Sequence, residues 1–161
     1  MNISVIIPIH EYNDNLSLLI DKAIESVVKQ EGVDELPQVI IVAPQEVLNE
    51  ITPKVFAETH PNTLFINNEG ETNYQSQVNL AVESVTTDYF SVLEFDDEYS
   101  LTYFKNVNKY VKTYPDVDVF LTMMIEVNGQ NQGIKLTNET VWAQQFVGEN
   151  GEMGYLNANA L

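Results

Sequence analysis

The chain contains no cysteine and no arginine. The first absence excludes disulfides, thiolate metal sites and cysteine nucleophiles together. The second removes every bidentate guanidinium clamp for phosphate, so any bound diphosphate must be neutralised by a metal ion or by backbone amides. Positive charge is scarce altogether: seven scattered lysines face 24 Asp and Glu, for a net charge of −17. That balance argues against nucleic acid, whose binding draws on clustered basic side chains, and against anionic membrane surfaces. Long apolar runs are missing as well. Met1-Asn2-Ile3-Ser4-Val5-Ile6-Ile7-Pro8 carries no basic leader and its apolar stretch stops at Pro8. Neither a signal peptide nor membrane insertion is expected, and a cytoplasmic protein is the default.

What is present suffices for one folded unit. A chain of 161 residues with 44% hydrophobic content can bury a core, yet is short for two full domains, so 1–161 is expected to form a single domain. Ile3 to Ile9 is a β-branched run closed by Pro8, with the near-continuous hydrophobicity of a strand covered on both faces. Leu16, Leu19, Ile20, Ala23, Ile24, Val27 and Val28 then recur at helical spacing, with Asp14 or Asn15 as the cap and Gly32 as the stop. The unit repeats. Gln38 to Val42 is expected as a strand, Gln45 to Thr59 as helix interrupted or restarted at Pro53, and Thr63 to Ile66 as a third strand. Tyr74, Val78, Ala81, Val82 and Val85 mark another helix, and Tyr89 to Phe95 another strand. Strands alternating with helices imply right-handed crossovers and a mostly parallel sheet. Leu101 to Tyr114 is a further helix stopped by Pro115, Val117 to Val127 a strand, and Val141 to Val147 ambiguous between strand and helix.

Chemistry concentrates at three strand ends: Pro8-Ile9-His10-Glu11, Ala43-Pro44-Gln45 and the acidic cluster Glu94-Phe95-Asp96-Asp97-Glu98. In an open α/β sheet, ligands bind at the carboxyl ends of strands, near the point where strand order reverses. Carboxylates gathered there can hold a hard divalent cation through oxygen ligands. A solvated acidic loop is the simpler alternative. His10 is read as a nucleotide contact or a hydrogen-bonded structural histidine, and Glu11 as a ligand contact or an approach to the helix. Asn73, Gln75, Gln77 and Asn79 form a polar stripe, either solvent-facing or ribose-contacting. Trp142 is a packed aromatic or a sugar platform, and His60 is expected at the surface.

Taken in order, Ser4 to Pro8, Ser26-Val27-Val28-Lys29-Gln30, Val39 to Val42, Asn79 within Gln77-Val78-Asn79-Leu80-Ala81, Leu93-Glu94-Phe95-Asp96-Asp97 and Tyr114-Pro115-Asp116-Val117-Asp118-Val119 resemble the nucleotide-sugar-binding half of a family-two glycosyltransferase of the GT-A fold. The resemblance implies a three-layer αβα, Rossmann-like α/β domain with a nucleotide-sugar part at 1–127 and an abbreviated acceptor-side part at 128–161. It implies that Pro8, Ile9, His10, Glu11, Gln77, Asn79, Glu94 and Asp96 line the donor. Asp97, joined by Asp96, would ligate Mn²⁺ or Mg²⁺ bridging the diphosphate. Three positions depart from the family pattern: Ala43-Pro44-Gln45 stands where an acid usually reads the base, Val78 where many members carry arginine, and Glu94 where aspartate is usual. The catalytic base has no motif among Glu126, Glu139, Glu149 and Glu152. The expected function is metal-dependent transfer of a hexose from a UDP-sugar, UDP-glucose foremost, to an unknown acceptor. The rival is a non-catalytic or degenerate sugar-nucleotide-binding or structural module. A homo-oligomer that covers Met123, Met124, Val141, Trp142 and Phe146 is a further expectation.

Overall fold

The structure, a computed structural model, describes residues 3–13, 15–56, 62–69, 73–120, 122, 124–128, 132–137, 143–147 and 153–157. Two compact units divide the chain, Met1–Thr113 and Tyr114–Leu161.

In the first unit four strands, β1 (Ile3–Pro8), β2 (Gln38–Ala43), β3 (Thr63–Asn67) and β4 (Tyr89–Val92), alternate with helices α1 (Ser17–Val28), α2 (Gln45–Phe56) and α3 (Tyr74–Val82), and α4 (Tyr103–Thr113) follows. All strand pairings are parallel, in the order β3-β2-β1-β4. Every residue of β1 is buried, as its unbroken β-branched run requires of a central strand covered on both faces. Alternate residues feed two cores. Val5, Ile7, Val39 and Ile41 pack with α1, α2 and Phe104 of α4, whereas Ile6, Ile40 and Val42 pack with Ala81 of α3. Helices on opposite faces follow from handedness: the chain steps one way from β1 to β3, then back across the sheet to β4, and a right-handed crossover must then change sides. The α/β expectation therefore holds, in three layers around a four-stranded parallel sheet.

Local details differ from the sequence reading. Leu16, not Asp14 or Asn15, is the N-cap of α1, and it makes no side-chain capping bond. The turn is held instead by Asn13, whose Oδ1 accepts the Asn15 N–H and whose carbonyl accepts the Leu16 N–H. Asp14 lies outside the described residues. Helix α1 stops at Val28 with Lys29 as C-cap, and Gly32 takes φ +70° beyond it, where a Cβ would sit 2.8 Å from Lys105 Cδ. Helix α2 runs through Pro53 without a break. Proline costs one backbone bond there, but Val47, Leu48 and Ile51 anchor the helix in the core.

In the second unit, residues 117–127 do not form one strand. The Val117 N–H closes a turn onto the Tyr114 carbonyl, and among the described residues of 117–127 only Met124–Val127 (β5) forms a strand, antiparallel to β6 (Gly133–Thr137). Alternating valines do not suffice for a strand where no partner completes the ladder. The ambiguous segment near 141–147 resolves as β7 (Ala143–Val147), antiparallel to β8 (Met153–Asn157). Among the described residues no helix is long and apolar enough to cross a membrane.

Candidate functional site

Strand order alone locates the crevice. The sheet grows from β1 to β2 and β3 on one side and to β4 on the other, so the switch point lies between the carboxyl ends of β1 and β4. Those two ends carry Pro8 to Glu11 and Glu94 to Glu98.

At the β1 end, pairing continues past the strand: the Ile9 N–H donates to the Val42 carbonyl at 2.8 Å. Pro8 and Ile9 are buried, and the Ile9 side chain belongs to the core. His10 emerges from it with its ring edge-on to Phe95 at 5.3 Å and to Tyr74 at 5.9 Å. Glu11 is exposed. Between this segment and the start of α2 lies a cavity of about 380 Å³ lined by Ile9, His10, Tyr12, Pro44, Glu46 and neighbouring residues. The ends of β1 and β2 thus meet around this cavity.

At the β4 end, the Leu93 N–H donates to the Ile6 carbonyl at 2.9 Å, and the chain then turns, with the Asp97 N–H donating to the Glu94 carbonyl at 3.1 Å. Leu93 and Phe95 are buried and Asp96, Asp97 and Glu98 exposed. The turn therefore drives the apolar side chains inward and presents the carboxylates. Partial burial, then Asp97 and Asp96, raise the Glu94 pKa, while His10 lowers it. Desolvation of the carboxyl and then Asp96 raise that of Asp97, although the residue as a whole is exposed. Burial and the Glu94 charge push the Tyr74 hydroxyl up as well.

Gln77 and Asn79 part company. On a helix, residues two apart do not share a face, so the apparent polar stripe is divided. Gln77 is fully buried and its Nε2 donates to the Ile9 carbonyl at 3.0 Å. Asn73 caps α3 by accepting the Ser76 N–H. Asn79 is exposed and lines a separate concavity of about 600 Å³ with Asn67, Asn68, Glu69, Ser76 and Glu83. Buried Gln77 Oε1 and His10 Nδ1 have no hydrogen-bond partner among the described residues.

Among the described residues no three His, Asp or Glu side chains form a metal cage by themselves. Asp96 and Asp97 nevertheless fit a hard cation of the Mg²⁺ type, which takes one or two protein carboxylates and completes its shell with ligand phosphates and water. Desolvation and then the Asp96 charge raise the Asp97 pKa, and a cation would relieve that repulsion. Tyr74, whose ring meets His10, was not legible as a site residue, because it looks like a packing position of a helix in the sequence. His60, Trp142, Glu139, Glu149 and Glu152 lie outside the described residues, as does the side chain of Glu126.

Fold and site together define an open α/β domain with Glu94, Asp96 and Asp97 at the β4 side of its switch point and Lys22 Nζ 4.0 Å from the neighbouring Glu98. The chain belongs to glycosyl transferase family 2, whose model matches residues 4–156. Comparison with curated proteins gives no match. Among solved structures, a crystal structure of S. aureus TarS 1-349 is 20% identical with a TM-score of 0.66, covering 90% of this chain and 40% of that one. The crystal structure of S. aureus TarS 1-349 in complex with UDP is 19% identical with a TM-score of 0.63, covering 94% of this chain and 43% of that one. This chain thus spans less than half the length of either TarS structure. The likeness carries the fold, and it agrees with the GT-A arrangement expected from the sequence.

Proposed function

We propose that this domain binds a nucleotide-sugar donor at the β1–β4 crevice and transfers its hexose to an acceptor, with a UDP-sugar, foremost UDP-glucose, as donor. The observation that carries this reading is the convergence of His10 at the end of β1 with Glu94, Asp96 and Asp97 at the end of β4, on the switch point of the sheet. Family membership and the UDP complex of TarS support the donor class. Asp97 is the principal ligand for Mn²⁺ or Mg²⁺, with Asp96 beside it toward the ribose and phosphates. When bound, the cation supplies positive charge against the departing nucleoside diphosphate, a role that no arginine can fill in this chain. His10 presents its ring toward the base, held edge-on between Tyr74 and Phe95. Pro8 and Ile9 carry the floor of the crevice, and Gln77 holds that floor from behind.

Calorimetric titration of UDP with and without Mn²⁺ tests the reading. Metal-dependent binding that disappears in Asp97→Ala, in a variant that still folds, is the expected result; absent or metal-independent binding would sink it. A second reading is favoured by Ala43-Pro44-Gln45 at the end of β2, which stands where the family resemblance implies an acidic residue that reads the base. In that reading the domain is a degenerate sugar-nucleotide binder without turnover. Transfer or hydrolysis of UDP-glucose at any Mn²⁺ concentration would exclude it.

A further inference from the structure

Residues 97–100, beyond the acidic turn, form no helix or strand, so their backbone groups must find partners elsewhere. One face of α1 and the loop just beyond its end supply several of them. Ser26 Oγ, buried, donates to the Ala23 carbonyl at 2.7 Å and accepts the Tyr99 N–H at 3.0 Å. Gln30 Nε2 donates to the Ser26 carbonyl at 2.7 Å and to the Ser100 carbonyl at 2.8 Å, while its Oε1 accepts the Phe104 N–H at 3.1 Å. Just beyond, the Glu31 N–H donates to the Leu101 carbonyl at 2.7 Å. The Tyr99 hydroxyl bonds Ser91 Oγ of β4 at 2.7 Å, and its ring stacks on Tyr103 at 4.1 Å. Tyr99, two residues past Asp97, is therefore gripped by α1 at its amide and by the sheet at its hydroxyl.

We propose that Ser26 and Gln30 are positioning residues that act through Tyr99 and Ser100 to set where Asp96 and Asp97 stand. The inference rests on the donor-site reading above and deepens it. Carboxylates carried on one short turn repel one another, and a loop free to splay would separate them whenever no cation is bound. Pinning the chain immediately downstream keeps them poised, so that binding does not have to order the loop first. Ser26 lies in the last turn of α1 and Gln30 just beyond its C-cap, and their partners are 70 to 74 residues away in sequence. The contact is thus a product of the tertiary fold.

The test compares Gln30→Leu and Ser26→Ala with Ile51→Val, a core change on α2 remote from these contacts, in the full chain. In the ligand-free protein, amide hydrogen exchange at Asp97 and Tyr99 is expected to rise about tenfold or more in the α1 variants and to stay unchanged in Ile51→Val. The Mn²⁺ concentration that half-saturates UDP binding is expected to rise by about tenfold in the same two variants only, as small displacements of a preorganised ligand set produce. Unchanged exchange at Asp97 and Tyr99, or a Mn²⁺ requirement no different from that of Ile51→Val, would overturn the proposal. If the unmodified protein binds no UDP with Mn²⁺, the donor-site reading fails, while the exchange measurement still decides whether α1 holds the loop.

Discussion

Gln77 Nε2 donates to the carbonyl of Ile9 across 68 residues of sequence, so helix α3 holds the segment that leaves the central strand. The bond is fully buried, and the other end of the same amide, Oε1, has no partner among the described residues. A buried acceptor without a partner costs stability, and the bond to Ile9 offsets part of that cost. Gln77→Leu removes both at once. The expected net loss is about 1 kcal/mol in urea unfolding, together with weaker UDP binding because the 8–11 segment loses its brace. Full stability with unchanged UDP affinity would show that the bond braces nothing.

Phe104 is fully buried and meets Tyr99 and Tyr103 edge-on at 5.2 and 5.0 Å. It joins α4 to the core shared by α1 and α2. Phe104→Ala should cost about 3–5 kcal/mol, measured by denaturant unfolding. A loss near that of a surface substitution would mean that α4 can part from the sheet independently.

Asp97 gives a pH signature. Partial burial and Asp96 raise its pKa in the folded state, so the folded protein binds that proton more tightly than the unfolded chain does. Stability is therefore lost as pH rises from the ordinary carboxylate value, about 4, through the raised one. Asp97→Asn removes that loss. Its melting temperature should exceed that of the parent at pH 7, with the gap closing at about pH 3, as followed by circular dichroism. A gap of the same size at both pH values would assign the gain to something other than this carboxylate.

The same ionisation links pH to metal. Deprotonated Asp97 is the form that can ligate a cation, so Mn²⁺-dependent UDP binding should strengthen as pH rises from about 4 toward neutrality. In Asp97→Asn that slope should flatten in calorimetric titrations. An unchanged slope would place the titrating ligand elsewhere.

Much of the fold was legible because its signals are local. Apolar runs of four to six residues separated by helical periodicity mark β1, α1, β2, α3 and β4, and the apolar-to-acidic transition after Leu93 marks the crevice. The failures were those of partnership. Residues 117–127 read as a strand in the sequence, but among the described residues of that range only Met124–Val127 has a partner to complete a ladder. Gln77 looks like one member of a polar stripe, yet the helix turns it inward to Ile9 while Asn79 stays outside. Ser26 is a small polar residue on an otherwise apolar helical face, a faint sign that something across the fold needed its oxygen.

By itself, the sequence determined that any phosphate here must be met without arginine and that carboxylates would stand at the end of a buried strand, because composition and alternation are properties of neighbouring residues. The tertiary structure alone decided that β4 returns to lie beside β1. That order makes the two strand ends a single crevice and brings Ser26 and Gln30 against the chain that follows Asp97. Strand order and such long-range hydrogen bonds depend on contacts between residues far apart in the chain, and no local pattern encodes them.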